Sequence, residues 1–340
     1  MMAAPIQHPP SPATIVTELV HLQRKRRFCI TSQSRCDRSI ESLIASGIGY
    51  RLDADEKDRK VVFARAKEFR VYVEAADELA RLVEDFENDR VPQNARAKLT
   101  AKRARLAAIV AKGGEQFGSN AALASLKALI VQSAEARGGW DVLRKNNEAT
   151  MEALAEQLPI AEWAAGIRGL GSLGVAVIVA EAGIPICDYR TVSGLWKRLG
   201  LAVIGGERQQ RKTGAEAAAA HGYSPGRRAQ VWSICSDSLF RAQWAGDKDA
   251  DGKDPKKTGN PVAIPAHPIG PYGDVYAARR AHTEPRIETT AEDAPAARWT
   301  KGRCHNDARR VMTKRLLADM WEAWRRAEGM PTAPGWRAAA

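Results

Sequence analysis

The chain has 340 residues, 44% of them apolar and 27% charged, a composition typical of soluble globular proteins with about two domains. Its 52 lysines and arginines exceed its 40 acidic residues by 12, so a polyanion, and nucleic acid above all, is the expected partner. The 5 cysteines form no C-x-x-C pair, which argues against a disulfide framework and fits a reducing cytosol. Neither a signal peptide nor a bilayer-length apolar stretch is found, so the sequence predicts a cytoplasmic protein without a membrane partner.

The first part of the chain is predicted to be helical. A segment that opens at Pro12 leads to the basic run Arg24 to Arg27 and to a short helix ended by Gly47. A long helix is expected from about Lys57 to Asn88, because apolar residues recur at alternating steps of four and three. This seam consists of Val62, Ala66, Phe69, Val73, Ala76, Ala80 and Val83. An apolar seam of this kind is stable only when it packs against another helix, either from a second copy of the chain or from a neighbouring helix of the same chain.

Pro92 ends the long helix, and a second helix is predicted over roughly Ala95 to Lys112, so the two are expected to form an antiparallel helical hairpin. A third helix leads from Leu123 to Gly138. All nine tryptophans lie at or after Trp140, so the pair Gly138-Gly139 is the predicted boundary between two differently built cores.

Acidic residues cluster just before the long helix, at Asp53, Asp55, Glu56 and Asp58. Metal ligation is one interpretation. The favoured one is that their negative charge offsets the dipole at the helix N-terminus.

The most specific stretch runs from Trp163 to Leu201 and has the pattern of a helix-hairpin-helix. A short helix from Ile160 to Gly166 precedes a glycine hairpin, and a second helix from about Leu173 ends at Gly183. Gly169 and Gly171 permit a tight turn and close approach of a ligand, and the unpaired N–H groups of the second helix favour a phosphate oxygen. Such a contact binds the backbone without reading sequence. Leu170 is expected to point into the core and fix the hairpin. A glycine-rich turn between two core helices is the structural alternative.

The candidate DNA-binding residues are those of the glycine hairpin and of the basic segments that are expected to flank it. They are Arg168, Gly169, Leu170, Gly171, Ser172, Gly174, Lys197, Arg198, Arg208, Arg211, Lys212, Gly214, Arg227 and Arg228. Taken singly, each basic cluster is more often a solvated face. Their position around a phosphate-binding hairpin favours backbone contacts.

The run G-L-G-S-L-G-V-A-V-I-V-A-E-A-G, from Gly169 to Gly183, resembles the glycine hairpin and A-E-x-G helix of the DEDD-type insertion-sequence transposases, the IS-one-ten and pilin-invertase group. The resemblance continues to the G-L step at Gly200-Leu201 and, more loosely, through Arg208–Gly214 and Gly222–Arg228. It covers about a quarter of the chain with specificity. It implies DNA binding, transposition-type recombination and RNA-guided target choice, with DNA and a guide or structured RNA as partners.

The chain departs from this family in two respects. Members carry an N-terminal RuvC-like nuclease domain with four acidic metal ligands on strands, whereas residues 1–150 offer no such strand. The family's nucleophilic serine lies in a Q-S-G segment, where Thr213 stands closest and Ser224 is the next hydroxyl. Either side chain is a candidate nucleophile, and a divalent metal such as Mg²⁺ would enter only with a nuclease partner acting in trans. A non-catalytic architectural or RNA-binding remnant of a transposase is the alternative.

The C-terminal part combines a long insertion with a closing helix. The segment from Ala245 to Thr300 is rich in Pro, Gly, Asp and Lys and is predicted to be a loop with one short helix near Asp274 to Ala281. A last helix is expected from about His305 to Glu328. Its apolar face comprises Met312, Leu316, Leu317, Met320 and Trp324, and a basic face with Arg310, Lys314, Arg315, Arg325 and Arg326 lies mostly opposite. A solvated face is favoured over a phosphate-contacting one for any single residue.

Two metal motifs are weak. The run from Asp247 through Asp249 and Asp251 opens like a calcium loop, but Thr258 replaces the bidentate Glu at its twelfth position. Cys304-His305 has no second ligand pair at zinc spacing. No cofactor is identified.

The predicted fold is therefore mostly α, with an N-terminal helical hairpin region and a helix-hairpin-helix, transposase-like C-terminal domain. Residues 1–13 are expected to be disordered, 14–139 helical, 140–244 the helix-hairpin-helix domain, 245–300 an insertion, 301–328 the closing helix and 329–340 a tail.

Overall fold

The computed structural model describes residues 10–118, 121–249, 254, 262–264, 266–289 and 299–332. Over these residues the chain is mostly helical, which confirms the predicted fold class. It divides into two compact units. The small unit comprises residues 25–146, and the large unit comprises residues 1–24 together with 147–340. The predicted disordered start (as far as residue 9) and the tail from residue 333 lie outside the described residues.

The small unit is built from helices. They are part of α1 (Pro12–Gly47), α2 (Glu56–Glu87), α3 (Arg96–Phe117), α4 (Ala121–Ala124) and part of α5 (Lys127–Ala155). A short 3-10 turn, Gln93–Ala95, follows Pro92 and leads into α3. At the start of α2, Asp55 is the N-cap, and its Oδ1 accepts a hydrogen bond of 2.7 Å from the N–H of Asp58. The acidic cluster thus serves the helix N-terminus, as predicted.

Helices α2 and α3 form the predicted antiparallel helical hairpin. Gln116 donates to Glu68 at one end, and Arg96 lies over the ring of Phe86 at the other, so the two helices run in opposite directions. Ala66, Phe69 and Val73 are buried, as the predicted seam requires.

Beyond Val73 the predicted seam is only partly buried: Ala76 and Val83 are half-buried, and the prediction is wrong for Ala80, which is exposed. The larger residues Leu79, Leu82 and Phe86 pack on α3 instead, against Leu99, Leu106, Ile109 and Val110. Burying leucine and phenylalanine removes more apolar area from water than burying alanine, so the buried stripe moves round the helix.

The predicted boundary at Gly138-Gly139 is not a break in the chain, because α5 continues through both glycines to Ala155. A glycine in a helix interior costs about 1 kcal/mol relative to alanine, which a helix of 29 residues tolerates. The change of unit comes seven residues after the predicted one, between Asn146 and Asn147, and a second change falls inside α1 after Arg24. Residues 12–24 therefore belong to the large unit, although the sequence pattern grouped them with the N-terminal helices.

The large unit is organised around a buried helix, α7 (Ser172–Ala182), of which every residue from Gly174 to Ala182 is buried. Ile15, Val16 and Leu19 of α1 join its core, as does Met151 of α5. The predicted apolar face of the closing helix is confirmed: Met312, Leu316, Leu317, Met320 and Trp324 are fully buried. The same helix also buries Trp321, whose Nε1 donates to the carbonyl of Tyr189 at 2.8 Å.

The large unit is completed by the closing helix, α14, and by shorter elements. The helices are α6 (Ala161–Ala165), α8 (Val192–Arg198), α9 (Ala215–His221), α10 (Pro225–Val231), α11 (Leu239–Gln243), α12 (Pro271–Thr283), α13 (Arg286–Thr289) and α14 (Lys301–Ala327). A 3-10 turn spans Ile186–Asp188, and a π-helical stretch, Trp232–Ser238, links α10 to α11. Three antiparallel ladders pair β1 (Val203–Ile204) with β2 (Glu207–Arg208), β3 (Trp244–Ala245) with β6 (His267–Pro268), and β4 (Lys248–Asp249) with β5 (Val262–Ile264).

The predicted insertion contains the expected short helix, α12, which packs along α14. The calcium-like loop lies largely outside the described residues. Across the part of the chain that is described, no helix has the length and apolar character needed to cross a membrane.

Candidate nucleic-acid interface

The glycine hairpin between α6 and α7 is present, but packing accounts for its first glycine. Gly169 has φ +94°, and a Cβ there would lie 2.5 Å from the Cβ of Ala242 and 3.1 Å from the carbonyl oxygen of Ser238. Gly174 is buried and tightly packed, since a Cβ added there would lie 3.0 Å from Cγ2 of Ile234. Leu170 points into the core, as expected. These three residues therefore fix the hairpin on the neighbouring helices.

The open side of the hairpin lies at Gly171, the N-cap of α7. Its φ is −78°, and nothing comes within 4 Å of an added Cβ. The hydroxyl of Ser172 donates to Glu156 Oε1 at 3.3 Å, which places a carboxylate at the positive end of the α7 dipole. This carboxylate repels a phosphate at the position that the sequence favoured. Arg168 is exposed beside it, and its carbonyl accepts from Gln243 Nε2 at 2.8 Å.

Three of the predicted DNA-binding arginines lie at the other end of α7, so they do not flank the glycine hairpin. Arg198 Nε donates to the carbonyl of Ala182 at 3.1 Å, and Arg227 forms an ion pair with Glu181 at 3.7 Å. Arg228 Nη1 donates to the carbonyl of Gly200 at 2.7 Å. Since α7 has 11 residues, about 16 Å of helix separates these groups from the hairpin.

A cluster of arginines surrounds one buried carboxylate, Asp307 of α14. Asp307 is 0% exposed and forms an ion pair with Arg208 of β2 through Oδ1. Its Oδ2 accepts from Arg279 Nε of α12 at 2.6 Å. Arg310, one turn further along α14, places Nη2 at 3.7 Å from Oδ1. Together with Arg228 these residues are called the Asp307 cluster below.

The Asp307 cluster carries more positive charge than its single carboxylate balances. Burial lowers the pKa of Arg310 to about 10, and the charges of Arg208, Arg228 and Arg279 add to the effect. Burial also lowers the pKa of Arg228, assisted by Arg208. Four arginines against one carboxylate leave a net charge of +3. Charge held away from water is costly unless a partner compensates it, so an anion is the natural complement.

The Asp307 cluster is open to solvent on one side. The side chains of Arg208 and Arg279 are 43% and 30% exposed, whereas that of Arg310 is only 11% exposed. The buried Nε of Arg310 has no hydrogen-bond partner among the described residues. A ligand can therefore reach the two outer arginines while Arg310 contributes charge from behind.

Arg309 and Trp232 extend this basic region. Arg309 is 8% exposed, forms an ion pair with Asp237 and lies 4.9 Å from the ring centre of Trp232. Arg228 approaches the same ring at 5.4 Å. The predicted solvated basic face of α14 is thus wrong for Arg310, which is buried by the elements that pack on the helix.

Lys314 lies one turn beyond Arg310, with Nζ 3.7 Å from the ring centre of Trp196. Burial, assisted by the charge of Arg310, lowers the pKa of Lys314 from an ordinary 10.5 to about 8. The aromatic face stabilises the remaining charge through a cation–π contact.

Raising the pH from about 7 to about 10 should stabilise the wild type relative to Lys314→Met. Below about pH 8 the folded chain holds this lysine charged at a cost, and above it the folded chain releases a proton that the unfolded chain keeps until near 10.5. Melting temperatures of both proteins across this range would check the trend. Lys301→Met, an exposed lysine on the same helix, serves as the control, and a difference independent of pH would contradict the prediction.

The two candidate nucleophiles are not brought together with a general base. Thr213 is exposed next to Gly214, and Arg211 is exposed as well. Lys212 forms an ion pair of 2.6 Å with Glu207. Ser224 is the N-cap of α10, and its Oγ accepts from the N–H of Arg227. Among the described residues no carboxylate or histidine is hydrogen-bonded to either hydroxyl, and no set of three or more ligating side chains suits a metal ion.

Asp307 and Arg279 were missed by sequence reasoning. One signal was present: Asp307 is the only acidic residue among five basic ones between Lys301 and Lys314. Arg279 lies in the stretch interpreted as an insertion, where nothing in the local pattern indicates a site.

In comparisons with known proteins, no family model, no curated protein and no solved structure matches the chain.

Proposed function

We propose that this chain binds the phosphate backbone of DNA through the Asp307 cluster, as a DNA-binding protein related to insertion-sequence transposases. The observation that carries the proposal is the group of four arginines, two of them accessible, around a single buried carboxylate. Guanidinium groups suit phosphate because their planar donors form charge-assisted hydrogen bonds with its oxygens. The net charge of +12 favours approach to a polyanion of any sequence.

An extended polyanion fits this region better than a small anion. Gln209, next to Arg208, donates to the carbonyl of Lys197 at 3.0 Å, which brings the chain at Lys197 close to β2, and the side chains of Lys197 and Arg211 are exposed. Successive phosphates would be contacted by separate cations. Contacts of this kind hold the backbone and leave the bases unread.

The proposed relation to transposases rests on the resemblance of residues 163–201. A recombinase would use Thr213 or Ser224 with a nuclease and its metal supplied in trans. The capping role of the Ser224 hydroxyl favours the second candidate function, a non-catalytic remnant that binds DNA or structured RNA.

Salt dependence of DNA binding tests the proposal. Removing two phosphate contacts with the double variant Arg208→Gln/Arg279→Gln should lower the slope of log affinity against log salt by about 1.8 and weaken binding to duplex and four-way-junction DNA. The matched control Arg190→Gln/Arg241→Gln removes two exposed charges from the same unit. Thermal unfolding of each variant establishes that it is folded.

Three results of this experiment lead to different conclusions. Wild-type protein without salt-dependent affinity for DNA would overturn the proposed function. A double variant that binds like its control would remove the Asp307 cluster as the site. Preference for structured RNA over both DNA substrates, lost in the same variant, would favour the RNA-binding remnant.

A further inference from the structure

Helix α3 of the small unit carries many basic residues, and most of its length has no acidic residue. Its apolar side is taken by α2, against which Leu99, Leu106, Ile109 and Val110 pack. Between positions 90 and 114 the sequence has seven basic residues and no acidic one: Arg90, Arg96, Lys98, Lys102, Arg103, Arg105 and Lys112. A solvated helix normally mixes charges of both signs, so this imbalance needs a physical reason.

Some of these cations are used within the small unit. Arg90 pairs with Glu84, Arg96 with Asp89 and Lys102 with Glu78. Arg103 lies over the ring of Phe86 at 5.3 Å. These contacts account for the cations that point toward α2 and the loop that joins the two helices.

The other three form a row on the exposed face. Lys98, Arg105 and Lys112 are exposed and follow one another at seven-residue steps, which repeats the same helix face about every 10.5 Å. None of them forms an ion pair with a described residue. We call this row the α3 basic face.

The positions between these cations are small. Ala101 and Ala108 lie on the same side of the helix, and Ala104 and Ala111 are exposed beside them. Alanine methyl groups leave room for a bulky backbone to approach the helix. They also offer too little apolar area for a protein partner held by burial, since the side chains that would supply it are turned toward α2.

We propose that the α3 basic face is a second contact surface for the DNA backbone, separate from the Asp307 cluster. The inference rests on the proposed function in that both surfaces bind the same partner. Charge complementarity selects that partner, because three cations over about 21 Å with no acid between them match a line of phosphates. Each side chain reaches its own phosphate, so this surface adds affinity and salt dependence without sequence preference.

A triple variant tests the α3 basic face in the full chain. Lys98→Gln/Arg105→Gln/Lys112→Gln should lower the slope of log affinity against log salt by about 2.7, since each lost phosphate contact removes about 0.9. The probe is a duplex of about 30 base pairs, roughly 100 Å long and so much longer than the row. Glutamine has nearly the same helix propensity as lysine and arginine, so α3 should be retained, and circular dichroism of the variant would check this.

The control is Arg38→Gln/Lys57→Gln/Lys67→Gln, which removes three exposed charges from α1 and α2 of the same unit. Equal slopes for the two triple variants would overturn the inference, while the variant of Arg208 and Arg279 would still report on the proposed function. Loss in the α3 variant alone would support this surface and remove the Asp307 cluster as the site. Wild-type protein that binds no DNA would overturn both, and binding of an acidic peptide in place of DNA would do the same.

Discussion

Replacing Asp307 with asparagine should lower the free energy of unfolding by about 3 kcal/mol. The carboxylate is 0% exposed and is the shared partner of Arg208, Arg279 and Arg310. Asparagine keeps the shape but not the charge, so the arginines repel one another where water screens them poorly. Urea unfolding followed by circular dichroism at low ionic strength measures the loss.

Anions should reverse much of this loss. Pyrophosphate or a short DNA duplex binds the folded state, and its stabilisation grows with ligand concentration over the dissociation constant. The effect should be larger in Asp307→Asn than in the wild type, because the variant lacks the internal anion. Asp319→Asn is the control: its side chain is 21% exposed and pairs with Arg315 on the same helix, so a loss of about 1 kcal/mol or less is expected. If Asp307→Asn unfolded like the wild type, the charge argument for the Asp307 cluster would lose its basis.

The sequence predicted correctly those helices whose start signal and apolar period lie within the helix itself. The expected long helix from Lys57 to Asn88 is observed as Glu56–Glu87, and the short helix within the insertion is observed as Pro271–Thr283. Both have clear start signals, an aspartate cap in one and a proline in the first turn of the other. Where the cap and the apolar period agree, neighbouring residues are sufficient to define the element.

The sequence did not show in the same way which helices pack together in each hydrophobic core. In the chain, Ile15, Val16 and Leu19 are followed directly by the helices of the small unit. They nevertheless pack in the core of the large unit, which contains α7. The glycine pair at 138–139 was predicted as a boundary because all nine tryptophans follow it, but α5 passes through it. Which helix covers which is decided by contacts between distant segments, and a single sequence does not display them.

The candidate site shows the same limit. Arg208, Arg279 and Asp307 are separated by about seventy and by about thirty residues, so no spacing rule connects them. The predicted arginines at 198, 227 and 228 were recognised as basic, but much of their hydrogen bonding is directed at backbone carbonyls of Ala182, Arg198 and Gly200. Sequence reasoning identified the charge, and only the fold shows which arginines bond to backbone carbonyls and which surround the carboxylate of Asp307.

Gly169→Val should be the most damaging change in the glycine hairpin, lowering the free energy of unfolding by about 3 kcal/mol. A side chain at φ +94° costs about 1–2 kcal/mol, and displacing Ala242 from a Cβ at 2.5 Å adds a packing penalty of about 1–3 kcal/mol. Denaturant unfolding measures the sum. The DNA affinity of the variant, measured at a temperature where it is folded, should stay near that of the wild type, because the glycine serves packing on α11.

Gly171→Val makes the same chemical change two residues away and separates packing from binding. Its φ of −78° suits valine, and no atom lies within 4 Å of the added Cβ, so the expected cost is that of replacing a preferred N-cap residue, about 0.5–1 kcal/mol. With Glu156 already at the start of α7, its DNA affinity should also be unchanged. A Gly171→Val protein that remained stable but lost DNA binding would return the phosphate site to the glycine hairpin. Unchanged binding in both valine variants, together with a loss in Arg208→Gln/Arg279→Gln, would place the site at the Asp307 cluster, where buried charge rather than an open backbone holds the phosphate.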